Sequence, residues 1–358
     1  MPSNRCSDCL GVTIEMVKHG HHRLHQVLLT LLNSCIEHGC IDDHWNYIVF
    51  SMIPKQGDLS LPSNWRPIAI LPIFYELFSR MLHNRLLPQL DSHQHFDQCG
   101  FRPGVRIEDA LLVAETLISK TLEYHLPLWM VSLDLKKAFD RVHHNALFDA
   151  LRGQDVDDPT IALLLEIYSG QRGCVHGSRE FDIARGVRQG DVISSLLFNA
   201  VIELVFKRWK LRLSHHGWLL TPGSERLTNT RYADDILLYA KSLEELEEML
   251  GLLDDELASV GLELHEGKTK IITSDLSNSI SFVEIASKFI EVLGPQKSHK
   301  YLDFETKLSF NIVSKLLGML FTSIDVGCLI ETYLFSSAFV CFRLLLHPQC
   351  CLDPQCSR

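Results

Sequence analysis

Two stretches of the chain carry apolar patterns that predict strands bordered by acidic residues. In Trp129-Met130-Val131-Ser132-Leu133-Asp134, Trp129, Val131 and Leu133 fall on one strand face and Met130, Ser132 and Asp134 on the other, so the strand closes at Asp134. In Tyr232-Ala233-Asp234-Asp235-Ile236-Leu237-Leu238-Tyr239-Ala240, the run after the acidic pair predicts a largely buried strand emerging from a turn at Asp234 and Asp235. Helical spacing replaces alternation further on. Leu243, Leu246, Leu250, Leu253 and Leu257 supply a buried stripe, and Ser242 with Glu245 suits a capping box. The stretch from Leu196 to Phe206 is helix-compatible. That from Leu334 to Leu346 is too short to span a bilayer and reads as a core helix.

Adjacent carboxylates repel, and a fold keeps them in open solvent unless a cation neutralises them. Hard oxygen donors of this kind suit Mg2+, which takes one or two carboxylates and leaves its other positions to water or phosphate. Composition adds bounds. The chain has 358 residues, 46% of them hydrophobic, enough for a substantial core in two or three subdomains. Its net charge of −10 is unexpected for a protein that handles nucleic acid. Much of that excess sits on one helix, at Glu244, Glu245, Glu247, Glu248, Asp254, Asp255 and Glu256, which reads as a solvated back face. Basic residues elsewhere, among them Arg66, Arg188, Lys210 and Arg212, are free to line a cleft.

The 11 cysteines lack disulfide-framework spacing and the N-terminus carries no secretory signal, which indicates a reducing, intracellular setting, nuclear or cytoplasmic. Cys6 and Cys9 with His21 and His25 approximate a zinc-finger spacing. Yet Thr13 and His19 stand where the finger's apolar core residues belong, and Leu24, Val27, Leu28, Leu31 and Leu32 fit a plain helix.

The acidic segments, with Gly186-Val187-Arg188-Gln189-Gly190-Asp191 between them, form an ordered set. It resembles motifs A, B and C of the reverse transcriptases, in the version carried by non-LTR (LINE-type) retrotransposons. Ile53-Pro54-Lys55 with Asn64-Trp65-Arg66-Pro67-Ile68 is similar to that family's fingers motif, and Gln98-Cys99-Gly100-Phe101-Arg102-Pro103-Gly104 to its second fingers motif. Gly261-Leu262-Glu263-Leu264-His265 with Lys268-Thr269-Lys270 resembles motif D, and Lys300-Tyr301-Leu302 the start of motif E. Matching segments run from about residue 12 to about residue 302.

The resemblance implies an α+β right-hand polymerase fold, with an antiparallel palm sheet, helical fingers and a short or incomplete thumb. It divides the chain into a helical N-terminal extension (1–45), fingers and palm (46–304), and a thumb remnant or C-terminal helical segment (305–358). The implied activity is RNA-directed DNA polymerisation, with an RNA template, a DNA primer and dNTPs as partners. No membrane association, no obligate protein partner and no nicking activity are expected. Asp134, Asp234 and Asp235 would hold two Mg2+ ions, or Mn2+ as a substitute, and Lys268 would serve as general acid to pyrophosphate. Lys55 and Arg66 would bind the triphosphate, Phe139 would sit beneath the sugar as a steric gate, and Gln189 and Gly190 would approach the nascent base pair. Asp140 would shape its turn.

Two rivals stay open. Asp134-x5-Asp140 also fits motif A of viral-type RNA-dependent RNA polymerases, against which Tyr232-Ala233-Asp234-Asp235 and Phe139 argue. A catalytically inactive nucleic-acid-binding relic would account for departures from the family pattern: Val192 and Ser195 for prolines, His265 for asparagine and Asp303 for glycine.

Overall fold

The computed structural model describes residues 7–8, 10–55, 57–175, 178–220, 222–275, 280–293, 299–301 and 304–306. Cys6, Cys9, Asp303, the stretch from Leu334 to Leu346 and nearly all of the expected thumb segment lie outside them.

Helices α1 (Ile14–Lys18) and α2 (His22–His38) precede strands β1 (Tyr47–Pro54) and β2 (Trp65–Ile70). Helices α3 (Ile73–His93) and α4 (Ile107–Glu123) lead to β3 (Trp129–Leu133). Next come α5 (Ala138–Arg141), α6 (His144–Arg152), α7 (Asp158–Tyr168), β4 (Arg172–Val175) and β5 (Phe181–Asp182). Helix α8 (Val192–Arg212) precedes β6 (Trp218–Leu219), β7 (Arg226–Leu227), β8 (Asn229–Tyr232) and β9 (Asp235–Ala240). After α9 (Leu243–Ser259) come β10 (Lys270–Thr273), β11 (Phe282–Ile285), β12 (Lys288–Leu293), β13 (His299–Tyr301) and β14 (Phe304–Thr306). No helix of the described residues is long and apolar enough to cross a membrane.

The chain forms two compact units. Among the described residues, unit 1 comprises those within 1–94, 137–206 and 258–262, and unit 2 those within 95–136, 207–257 and 263–306. Unit 1 holds most of the helices and a four-stranded sheet of order β2-β1-β4-β5. In the same unit Ile14, Val17 and Leu28 pack with Ile73 at the start of α3. The buried Asp8 carboxylate accepts the Ile73 N–H at 2.9 Å, a negative group where the helix presents unpaired donors. The apolar stripe expected on α2 is narrower than predicted. Leu28 and Leu32 are buried, whereas Val27 and Leu31 are exposed.

Unit 2 contains a six-stranded sheet of order β11-β12-β10-β3-β9-β8, antiparallel except where β10 runs parallel to β12. Strand β3 is central, between β10 and β9, and all five of its residues are buried. Its alternation therefore separates two covered faces. Met130 and Tyr239 join Leu111, Leu117, Leu128 and Ile272 in one apolar cluster, while Val131, Leu238 and Ile271 are equally buried on the opposite face.

Helix α9 buries the predicted leucines except Leu243, which is half-buried. Its cap differs from the expected box. Ser242 Oγ accepts the Glu245 N–H at 3.2 Å, but the Glu245 carboxylate takes the N–H groups of Lys241 and Gly217 instead of that of Ser242. The acidic face is not simply solvated: Asp254 pairs with Lys288, and Asp255 and Glu256 share Arg212.

In unit 1, α8 opens at Val192, one of the departures from the family pattern. First-turn N–H groups lack helical partners, and proline there presets the helical φ while narrowing the unfolded ensemble. Val192→Pro should raise unfolding free energy by about 0.4–1 kcal/mol. A higher urea midpoint with unchanged slope would show it.

Candidate active site

Strand β3 delivers Asp134 to the end of the unit 2 sheet. Leu133 pairs with Ile236, so the next antiparallel positions, Asp134 and Asp235, face each other across the strand ends. A second backbone segment holds Asp134 beyond the strand. The Lys136 N–H donates to the Glu263 carbonyl and the His265 N–H to the Asp134 carbonyl, each at 2.8 Å. The Asp134 N–H points to Thr269 Oγ1 at 3.4 Å. His265 thus acts through its backbone, which its replacement of asparagine leaves in place.

Asp234 lies in the turn of the β8–β9 hairpin. Tyr232 pairs with Asp235, leaving Ala233 and Asp234 as a two-residue loop. Ala233 has φ 60°, a left-handed value that costs a non-glycine residue about 1–3 kcal/mol and persists only where the surroundings enforce it. Residues 97–100 supply that enforcement. The Arg231 N–H donates to the Asp97 carbonyl at 2.8 Å, and the Cys99 N–H to the Arg231 carbonyl at 2.7 Å. Gly100 lies so close that a Cβ would meet Ala233 N at 2.4 Å, so this position requires glycine. The first residues of the motif similar to a second fingers segment thus lie against the Asp234–Asp235 hairpin within unit 2.

Lys268 Nζ lies 3.3 Å from Asp134 Oδ2, with side-chain exposures of 63% and 35%. The ammonium is a monovalent stand-in for the cation that such carboxylates attract. Asp235 is exposed and Asp234 half-buried, so all three carboxylates reach solvent. Among the described residues no three acidic, histidine or cysteine side chains converge as ligands of one ion. The donors are hard oxygens on adjoining strand ends, which suit a divalent ion once the carboxylates close upon it.

The other predicted residues lie in unit 1. Ile53 pairs with Arg66, and the Lys55 N–H continues the ribbon to the Asn64 carbonyl at 2.7 Å. Alternation places Lys55 and Arg66 on one face, both exposed. Phe139 is half-buried and stacks on Phe198 of α8 at 4.6 Å between ring centroids. The Gln189 carbonyl accepts the Ala69 N–H at 2.9 Å, and Gly190 is exposed with φ 106°.

Asp140 does more than shape a turn: its Oδ1 accepts from Gln189 Nε2 at 2.9 Å and so orients that amide. Burial pushes the Asp140 carboxyl up, and the Gln189 hydrogen bond with the charges of Lys137 and Lys55 only partly offsets it. Arg188 lines no cleft. It is buried, donates to the carbonyls of Trp45 and Ile167, and stacks over Tyr75, whose hydroxyl donates to Asp191 at 2.7 Å.

The supports of the hairpin were not legible as a site. Asp97 is buried, with Lys210 Nζ at 2.6 Å, Asn229 Nδ2 at 3.0 Å and His95 Nδ1 at 3.1 Å. Burial lowers the His95 pKa, but hydrogen bonding to Asp97 and its charge outweigh that, and the net shift is upward. Burial raises Asp97, but His95 and Lys210 outweigh it, and the net shift is downward. The His95 contribution to stability is therefore complete below its ordinary value of 6.5 and is lost as pH rises through the folded value. That of Asp97 is complete above 3.8 and is lost as pH falls through its folded value. Thermal melts should show His95→Gln flattening the decline of the midpoint above about pH 6.5.

The chain matches the family model "Reverse transcriptase (RNA-dependent DNA polymerase)" over residues 53–306. It is 30% identical over 322 residues to a Pol polyprotein of the type-1 retrotransposable element R2 from Popillia japonica, covering 84% of this chain and 42% of that protein. It is 31% identical over 251 residues to a 149 kDa protein of transposon TX1 from Xenopus laevis, covering 69% of this chain and 19% of that protein. The chain thus spans less than half the length of these relatives. Among solved structures, apo telomerase from Candida tropicalis has the same fold at a TM-score of 0.51 and 15% identity, covering 69% of this chain and 47% of that one. The carboxylates at the ends of β3 and β9, the β8–β9 hairpin turn and the match across both units agree: the chain belongs to the reverse transcriptase family, in its non-LTR retrotransposon branch.

Proposed function

We propose that this chain is an RNA-directed DNA polymerase that extends a DNA primer with dNTPs on an RNA template, inside the cell. The observation that carries the reading is the meeting of Asp134 with the Asp234–Asp235 turn at the end of one sheet. The family uses divalent metal ions. Here Asp134, Asp234 and Asp235 would hold two Mg2+ ions, with Mn2+ as a substitute. When bound, such ions supply Lewis-acid stabilisation of the attacking and leaving oxygens. The primer 3′-hydroxyl oxygen gives up its proton to solvent water as it bonds to the α-phosphorus, the bond to pyrophosphate breaks, and Lys268 delivers a proton to the leaving group. Lys55 and Arg66 offset the triphosphate charge. Gln189, oriented by Asp140, and Gly190 face the new base pair.

Asp134→Ala and Asp234→Ala should each lower primer extension by roughly 100-fold or more, since a lost electrostatic contact to the transition state costs roughly 3–4 kcal/mol. A folded wild-type protein that binds primer–template yet incorporates nothing with Mg2+ or Mn2+ would overturn the reading in favour of an inactive relic.

Phe139 packs one side on Phe198 and keeps part of its surface open, as a gate against a 2′-hydroxyl requires. Phe139→Ala should raise kcat/KM for ribonucleotides relative to deoxynucleotides, in protein shown by melting to be folded. An unchanged ratio would assign the ring to packing alone.

A further inference from the structure

Gln98 is fully buried in unit 2 and takes no part in the chemistry described above. Its Oε1 accepts two backbone N–H groups, from Gly100 at 2.9 Å and from Ala233 at 3.1 Å. Both neighbours are donors, so the oxygen and not the amide nitrogen must face them. The Ala233 N–H is the first amide of the two-residue turn and belongs to the buried residue with φ 60°. Without Gln98 this donor would be left unpaired in the interior, in a segment already held out of its preferred conformation.

The backbone geometry immediately after this amide decides where Asp234 points. Rotation about the Ala233 backbone swings the Asp234 carboxylate relative to Asp134, the residue that follows β3, because the hairpin pairing resumes only at Asp235. A restraint on the Ala233 N–H is therefore a restraint on the spacing of the Asp134 and Asp234 carboxylates. The backbone strip of residues 97–100 fixes Gln98 in turn, through the bonds that join Asp97 and Cys99 to Arg231.

We propose that Gln98 is a positioning residue for metal ligation: its side-chain oxygen holds the Ala233–Asp234 turn in the conformation that lets Asp234 share an ion with Asp134. The proposal rests on the polymerase reading for its meaning, but not for its test. The rival explanation is that Gln98 only fills space behind the hairpin. Methionine separates the two, because it has similar length and volume but offers no comparable acceptor. Its cost to folding is moderated, since the Gln98 amide nitrogen is itself buried without a hydrogen-bond partner among the described residues and methionine removes that donor.

The test compares wild type, Gln98→Met and Gln98→Glu, the last keeping an acceptor oxygen at the same reach. Mn2+ binding is read by electron paramagnetic resonance, and primer extension is followed as a function of Mg2+ concentration. Gln98→Met should weaken Mn2+ binding and raise the Mg2+ requirement by roughly 10- to 100-fold, as loss of a group that orients a metal ligand does. The dNTP KM at saturating metal should stay within about twofold, and Gln98→Glu should recover most of the loss. Should Gln98→Met fail to fold, Gln98→Asn, one methylene shorter, withdraws the oxygen while keeping the amide and should show the same metal defect. A folded Gln98→Met or Gln98→Asn protein with wild-type Mn2+ affinity and Mg2+ dependence would overturn the proposal. If Mn2+ binding weakens as expected but even wild type extends no primer, the positioning role stands and the polymerase reading fails.

Discussion

Carboxylates gathered at one end of a sheet repel one another, and the surroundings of Asp134, Asp234 and Asp235 restrain that repulsion. Strand β3 cannot shift, because it is hydrogen-bonded on both edges and buried on both faces. The hairpin turn cannot relax, because residues 97–100 lie against it and leave no room for a Cβ at Gly100. Lys268 supplies a cation beside Asp134. Restraint of this kind stores strain at the three carboxylates and offsets it with packing elsewhere in the same unit.

Unit 1 follows a related rule, in which charged groups near Gln189 and Gly190 are satisfied by other protein groups. Arg188 exchanges water for two backbone carbonyls and an aromatic face, and Asp191 accepts from Tyr75 and Ser79. These bonds fix the segment that carries Gln189 and Gly190, while Asp140 turns the Gln189 amide. The acidic balance of the chain is compatible with this chemistry because it is local. On α9 it is partly cancelled by Arg212 and Lys288 within unit 2.

The strand before Asp134 and the one beginning at Asp235, the leucine stripe of α9 and the order of the motifs were legible in the sequence, because each depends on residues a few positions apart. The pairings that hold them were not. Gln98 and Ala233 are 135 residues apart, and Asp140 and Gln189 are 49 apart, and no periodicity encodes which side-chain amide meets which distant partner. Alternation in β3 predicted a strand but not that both its faces are covered, since that depends on what packs against the sheet. Serine and glutamate at the start of α9 predicted a cap but not that the glutamate would reach Gly217. Local chemistry in the chain thus named the elements and the acidic groups at their ends, while their restraint came from contacts that exist only once distant segments are brought together, where burial makes every unpaired polar group costly.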